Sequence, residues 1–231
     1  MNYIKKNKNC IILITVVSMF LCSSLFRLIP IILFNIKPDT PLKIALIALI
    51  GNAIITCITI YIFRKTLIND IKAFKPNWLK LLEKGTFYWL IGLLIMAVSN
   101  LIISHLLSGT LATNEQNVRN LLTSFPIISI IMTSLLAPLT EELIFRKAFL
   151  DVFKTKWTYV LTAGIIFGSL HVILTIKNIY ELLYLIPYCS LGIAFSYMYY
   201  ETKNIIVPIT IHMLHNTILS IFTLVSIGMI L

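Results

Sequence analysis

Runs of about twenty residues with almost no charge recur along this chain, and they limit its folding choices more than any other feature. Hydrophobic residues fill 58% of the 231 positions and charged residues 12%, about half the charge of an ordinary soluble domain. The apolar residues lie in unbroken stretches instead of at helix or strand period. Such stretches match a hydrocarbon slab ~30 Å thick. Seven candidate spans cover residues 10–34, 41–63, 86–107, 124–146, 157–176, 182–200 and 204–228. The links between them are short. The expected fold is all-α, a polytopic transmembrane helical bundle of about seven spans. No repeat, low-complexity tract or soluble domain stands out.

Charge sets an expected orientation. With the N-terminus in the cytoplasm, the inside segments hold Lys5, Lys6, Lys8, Arg64, Lys65, Lys72, Lys75, Lys80, Lys84, Arg146, Lys147, Lys154, Lys156 and Lys203. The outside segments hold Lys37, Lys43, Arg119 and Lys177, and Arg27 falls within the first span. This is the positive-inside asymmetry. The net charge of +10 is therefore read as a topology and headgroup signal, with the lipid bilayer and not nucleic acid as its partner. Segment 64–85 mixes lysines with Leu, Ile, Phe and Trp and is expected at the cytoplasmic interface. The first span has too long an apolar core for a cleaved signal, and no small-x-small site follows it. Cys10, Cys22, Cys57 and Cys189 carry neither metal spacing nor a disulfide pattern, so they read as small buried apolar residues.

An ionised side chain at mid-bilayer costs about 2.5–3.5 kcal/mol on insertion scales, so it needs a partner or a function. The exceptions gather at three places in the last four spans. The first is Pro138-Leu139-Thr140-Glu141-Glu142-Leu143-Ile144-Phe145-Arg146. Glu142 and Arg146 are i,i+4 neighbours on one helix face, and Glu141 points about 100° away from them. That spacing leaves Arg146 to neutralise Glu142 and Glu141 free to handle a proton. Pro138 is expected to break the helix, so that Glu141 opens a new segment. The second place is Phe167-Gly168-Ser169-Leu170-His171, where Gly164 and Gly168 form a face for close helix approach. The third is Pro208 to Asn216, with His212 and Asn216 on one face and His215 beside them. Pro208 is expected to free a carbonyl and kink that span.

In this order, Glu141-Glu142-x-x-x-Arg146, Phe167-x-x-x-His171 and His212-x-x-x-Asn216 resemble the motifs of the CAAX-protease and bacteriocin-processing (CPBP, or Abi) membrane proteases. The resemblance covers about residues 120–220 and implies an intramembrane endopeptidase with its cavity open toward the cytoplasmic leaflet. It implies that Glu141 activates water, that His171 orients it or shares the proton, and that His212 and Asn216 sit by the scissile carbonyl. Asn216 would then donate to the oxyanion, Glu142 and Arg146 would support the site, and His215 would lie behind it or serve packing. Residues 1–119 would form N-terminal spans with a basic interfacial segment, and residues 120–231 the catalytic core.

A metal is compatible with this set, since Glu141, His171 and His212 could hold zinc. No HExxH is present, and a metal-free site is equally compatible. The substrate would be a membrane-associated peptide or protein. Two other readings remain: a non-catalytic immunity or scaffold protein of the same family, and a small transporter. The expected location is the cell membrane, with the N-terminus cytoplasmic and the C-terminus outside. Depth sets one constraint. Glu141 lies about 8 Å inside Arg146, His212 about 12 Å inside Asn204, and His171 about 21 Å inside Trp157. For them to meet, the fifth span either starts late, near Val160, with 148–156 along the interface, or tilts strongly; a late start with tilt is expected.

Overall fold

The computed structural model describes residues 2–229, with side chains from residue 7 onward; the side chains of Lys5 and Lys6 in the charge count, and residue 231, lie outside the described set. The described chain is helical, with no strand. Five helices are long and apolar enough to cross a membrane, or six if a bent pair at the start counts as one span.

The first expected span is that bent pair. Helix α1 (Asn2–Leu21) gives way at Cys22 to two short helices, α2 (Ser23–Phe26) and α3 (Leu28–Phe34), and the chain turns by 68°. The adjacent serines Ser23 and Ser24 mark the bend, a common site for a kink. Gly51 makes room for it. A Cβ there would come within 3.2 Å of both the Arg27 backbone nitrogen and its Cγ.

The longest helical run, Pro41–Leu106, would extend ~100 Å if straight, about three times the hydrocarbon thickness. It divides into α4 (Pro41–Phe74) and α5 (Trp78–Leu106), joined by one 3₁₀ turn at Lys75–Asn77 that contains Pro76. Thr40 caps α4, its hydroxyl accepting from the Lys43 backbone N–H at 3.3 Å, and Pro41 occupies the first turn. Contacts show the chain doubling back. The Asp70 carboxylate accepts from the Ile205 N–H (2.8 Å), whereas Gly85 packs on Val207 and Ile211 and Gly92 on Ala194. Segment 64–85 is thus the joined ends of two long helices.

After α6 (Thr113–Ser124) comes α7 (Pro126–Val152). Pro138 does not break it. Instead the helix widens to π geometry over Ile131–Leu136 and again over Glu142–Ala148, with an α turn, Ala137–Glu141, between. A wider register is one way to accept a residue that lacks an N–H and crowds the carbonyl before it. The helix also continues past Arg146 to Val152, helped by the Lys147–Asp151 ion pair at 2.7 Å. Glu141 therefore lies ~16 Å from the end of its helix. The fifth span, α8 (Lys156–Ile173), starts early, at Lys156 and not near Val160. The depth gap between Glu141 and His171 narrows because α7 is longer than the sequence suggested.

Next come a 3₁₀ segment (Ile179–Tyr184), α9 (Leu185–Thr202) and α10 (Ile206–Ser226). Pro208 falls in the first turn of α10, where its missing N–H has no intrahelical acceptor to lose, so it does not kink the helix. The faces of α8 and α9 touch backbone to backbone. A Cβ on Gly164 would sit 2.6 Å from Ile193 Cα, and one on Gly168 2.5 Å from the Cys189 nitrogen. The core gathers Leu143, Ile144 and Phe145 of α7 with Phe167, Tyr199 and Ile209.

Candidate active site

Glu141, on the α turn between the two π stretches, is nearly buried, and its carboxylate makes no hydrogen bond among the described residues. Two imidazoles face it. His171 Nε2 lies 3.9 Å from Oε1, and His212 Nε2 lies 3.9 Å from Oε2. Both gaps exceed hydrogen-bond range, yet each leaves points within reach of both groups at once.

Each ring is oriented by its other nitrogen. His171 Nδ1 lies 2.9 Å from the Phe167 carbonyl, which can only accept, so Nδ1 carries the hydrogen and Nε2 presents a lone pair. His212 Nδ1 lies 2.9 Å from Glu142 Oε1 and donates to it. The second oxygen of Glu142 meets Arg146 Nε at 2.9 Å as an ion pair, though not in hydrogen-bond alignment. Both side chains of that pair are 0% exposed. The guanidinium carbon stands 4.5 Å from the Phe167 ring centre and 5.9 Å from that of Phe195, where cation–π attraction offsets part of the desolvation. One contiguous chain of contacts thus runs from Arg146 through Glu142 and His212 to Glu141.

The remaining polar groups of α10 lie elsewhere. Trp89 Nε1 donates to His215 Nδ1 at 3.3 Å, and His215 is buried against α5. Asn216 Nδ2 donates to the Thr133 carbonyl at 2.7 Å, on the first π stretch of α7. His105 is exposed.

A cavity of about 510 Å³ opens on Glu141, Thr140 and His171. Its opposite wall comes from the N-terminal half, with Phe20 and Arg27 at the bend and Asn52 and Thr56 on α4. The Thr56 and Thr140 hydroxyls share a hydrogen bond at 2.9 Å. Sequence reasoning missed this wall because these residues carry no motif; Arg27 alone, as a charge inside a span, offered a signal. It also missed a fourth buried polar site. Glu181, 4% exposed, accepts from the Thr113 N–H and hydroxyl (both 3.0 Å), the Lys177 N–H (3.3 Å) and Asn178 Nδ2 (3.2 Å). Every bond there is internal, so this carboxylate ties two loops together.

Two imidazoles and a carboxylate are a donor set that zinc accepts. Ligand bonds of about 2.0–2.2 Å in a tetrahedron would draw those atoms to ~3.4 Å of one another, closer than the 3.9 Å found here. No group of three His, Cys, Asp or Glu among the described residues is arranged to hold a metal ion.

Residues 123–218, which contain all of these groups from α7 to α10, match the family described as type II CAAX prenyl endopeptidase, Rce1-like. The membrane-embedded CAAX protease MroQ of Staphylococcus aureus (strain USA300) is 33% identical over 100 residues, 43% of this chain and 40% of that protein. Over this stretch the chain is similar to the CAAX-protease and bacteriocin-processing family. Two further matches are YdiL of Bacillus subtilis (strain 168), whose name is that of a candidate membrane peptidase, and the UPF0177 protein YaiF of Lactococcus lactis subsp. lactis (strain IL1403). YdiL is 31% identical over 119 residues, 50% of this chain and 45% of its own length. YaiF is 29% identical over 160 residues, 64% of this chain and 69% of its own. The chain thus spans less than half the length of two of these three relatives. No solved structure matches it. The chain is a multi-pass membrane protein, and the matches to residues 123–218 point to a membrane protease.

Proposed function

We propose that this chain hydrolyses peptide bonds of a membrane-associated peptide or protein, with Glu141 activating the attacking water. One observation carries the reading. A carboxylate without a hydrogen bond of its own faces two imidazoles whose orientations are fixed from behind, at the edge of a cavity. Buried acids and bases held this way suit proton transfer.

In the proposed reaction, water lies between Glu141 and the His171 Nε2 lone pair and gives its proton to Glu141 as its oxygen attacks the scissile carbonyl. The carbonyl π bond opens to an oxyanion. A His212 ring protonated at both nitrogens gives one N–H to Glu142 and turns the other toward that oxyanion. Collapse breaks the C–N bond, and the proton held by Glu141 passes to the leaving amine. The buried Glu142–Arg146 pair supports the site by fixing His212. We further propose the N-inside, C-outside orientation that the charge asymmetry favours.

The test is cleavage by purified protein in lipid, compared with Glu141→Gln. Comparative peptidomics of membranes containing either form would find the substrate. Accumulation of the same peptides with both forms would return the chain to the binding or scaffold reading. The activity should survive chelation of divalent metals, and loss on chelation with recovery on adding zinc would replace the metal-free scheme.

A further inference from the structure

Among the described residues, Asn216 is the polar member of the motif set whose side chain makes no hydrogen bond or ion pair with the others. Its amide spends a hydrogen on the Thr133 carbonyl, 2.7 Å away, and the local backbone explains why that oxygen needs it. In the π stretch Ile131–Leu136 the Ala137 N–H bonds back to the Met132 carbonyl, one residue further back than the α-helical pairing. Thr133 therefore loses Ala137, its α partner. Its next partner, in π register, is Pro138, which has no N–H. The Thr133 carbonyl is left without a donor in its own helix, in a part of the bundle where water is scarce. Asn216, reaching across from α10, supplies it.

The same helix α10 holds α7 at a second point, since His212 donates to Glu142. Glu141 lies between those two anchors in the α7 sequence. We propose that Asn216 is a positioning residue: by satisfying the carbonyl that Pro138 strands, it holds α7 in the register that aims Glu141 at His171 and His212. Its amide acts through Thr133 and not on the reacting atoms. The activity arm of this proposal rests on the protease reading; the structural arm does not.

The experiment is a double-substitution cycle with Asn216→Ala and Pro138→Ala in the full chain in lipid, reading kcat, KM and thermal unfolding. The Pro138→Ala change restores an N–H, so Thr133 gains a partner within α7 in either register. With Pro138 present, Asn216→Ala should lower kcat by about 10²-fold, as expected when a catalytic group is misplaced by ~1 Å, and should lower Tm. In the Pro138→Ala background, both losses should shrink to a small fraction. Equal losses in both backgrounds would overturn the proposal, since an oxyanion donor is needed whatever side chain follows Ala137. If Pro138→Ala does not fold, hydrogen exchange on Asn216→Ala alone decides. Faster exchange over residues 131–141 supports the proposal, and unchanged exchange there overturns it. If no form cleaves any peptide, the protease reading fails, while the Tm coupling still tests the contact.

Discussion

His212 Nδ1 lies 2.9 Å from Glu142 Oε1, and that bond joins the last helix to the buried ion pair of the fourth long one. Glu142 is shared between a histidine on one oxygen and an arginine on the other. Its charge is therefore committed, and the adjacent Glu141 is left with its own.

Removing Arg146 leaves the Glu142 charge buried without its strongest counter-ion. Arg146→Ala should destabilise the bundle by about 3–5 kcal/mol, the range seen when one partner of a buried pair is lost. Exchanging the two residues should recover only part of this, because His212 and the Phe167 ring are placed for the present polarity. Thermal unfolding in detergent or bicelles measures both. A wild-type Tm for Arg146→Ala would show that the pair contributes nothing.

Glu141 holds no structural hydrogen bond, so Glu141→Gln should abolish cleavage while leaving yield and Tm unchanged. Losing a general base costs at least about 10²–10⁴-fold in rate. His171→Ala should reduce cleavage comparably. His212→Ala should do so too and also lower Tm, because it strips Glu142 of a donor. Activity and melting measured on the same preparations separate the two kinds of loss.

The α8–α9 contact is a lever on His171. Gly168→Leu must push the Cys189 backbone away, since even a Cβ would stand 2.5 Å from its nitrogen. His171, three residues on, should move away from Glu141, with cleavage falling and Tm dropping together. By contrast, exposed His105 should tolerate alanine without change in either.

Reporter fusions after residues 38 and 115 should report the outside, and fusions after residue 75 the inside. The sites fall in the link before α4, near the start of α6 and at the Lys75–Asn77 turn. An outside signal at residue 75 would reverse the proposed orientation.

Much of the architecture is legible in the sequence because the bilayer is a strict solvent. Stretches of apolar residues long enough to cross it have to become helices, and the few polar groups among them need partners. The Glu142–Arg146 contact follows from i,i+4 spacing alone. So does the close approach that Gly164 and Gly168 allow, although the sequence does not name Ile193 and Cys189 as what approaches. Tertiary structure decided the rest, because the deciding terms lie between helices. Helix α7 absorbs Pro138 by widening and runs on to Val152, since Asn216 from another helix takes the stranded carbonyl. No local pattern records that donor, so the sequence suggested a break there. The cavity wall at Arg27 and Asn52 exists because α1 bends and α2–α3 packs on Gly51. Solvent chemistry sets which segments are helices; which polar group meets which is set by packing between segments far apart in the chain.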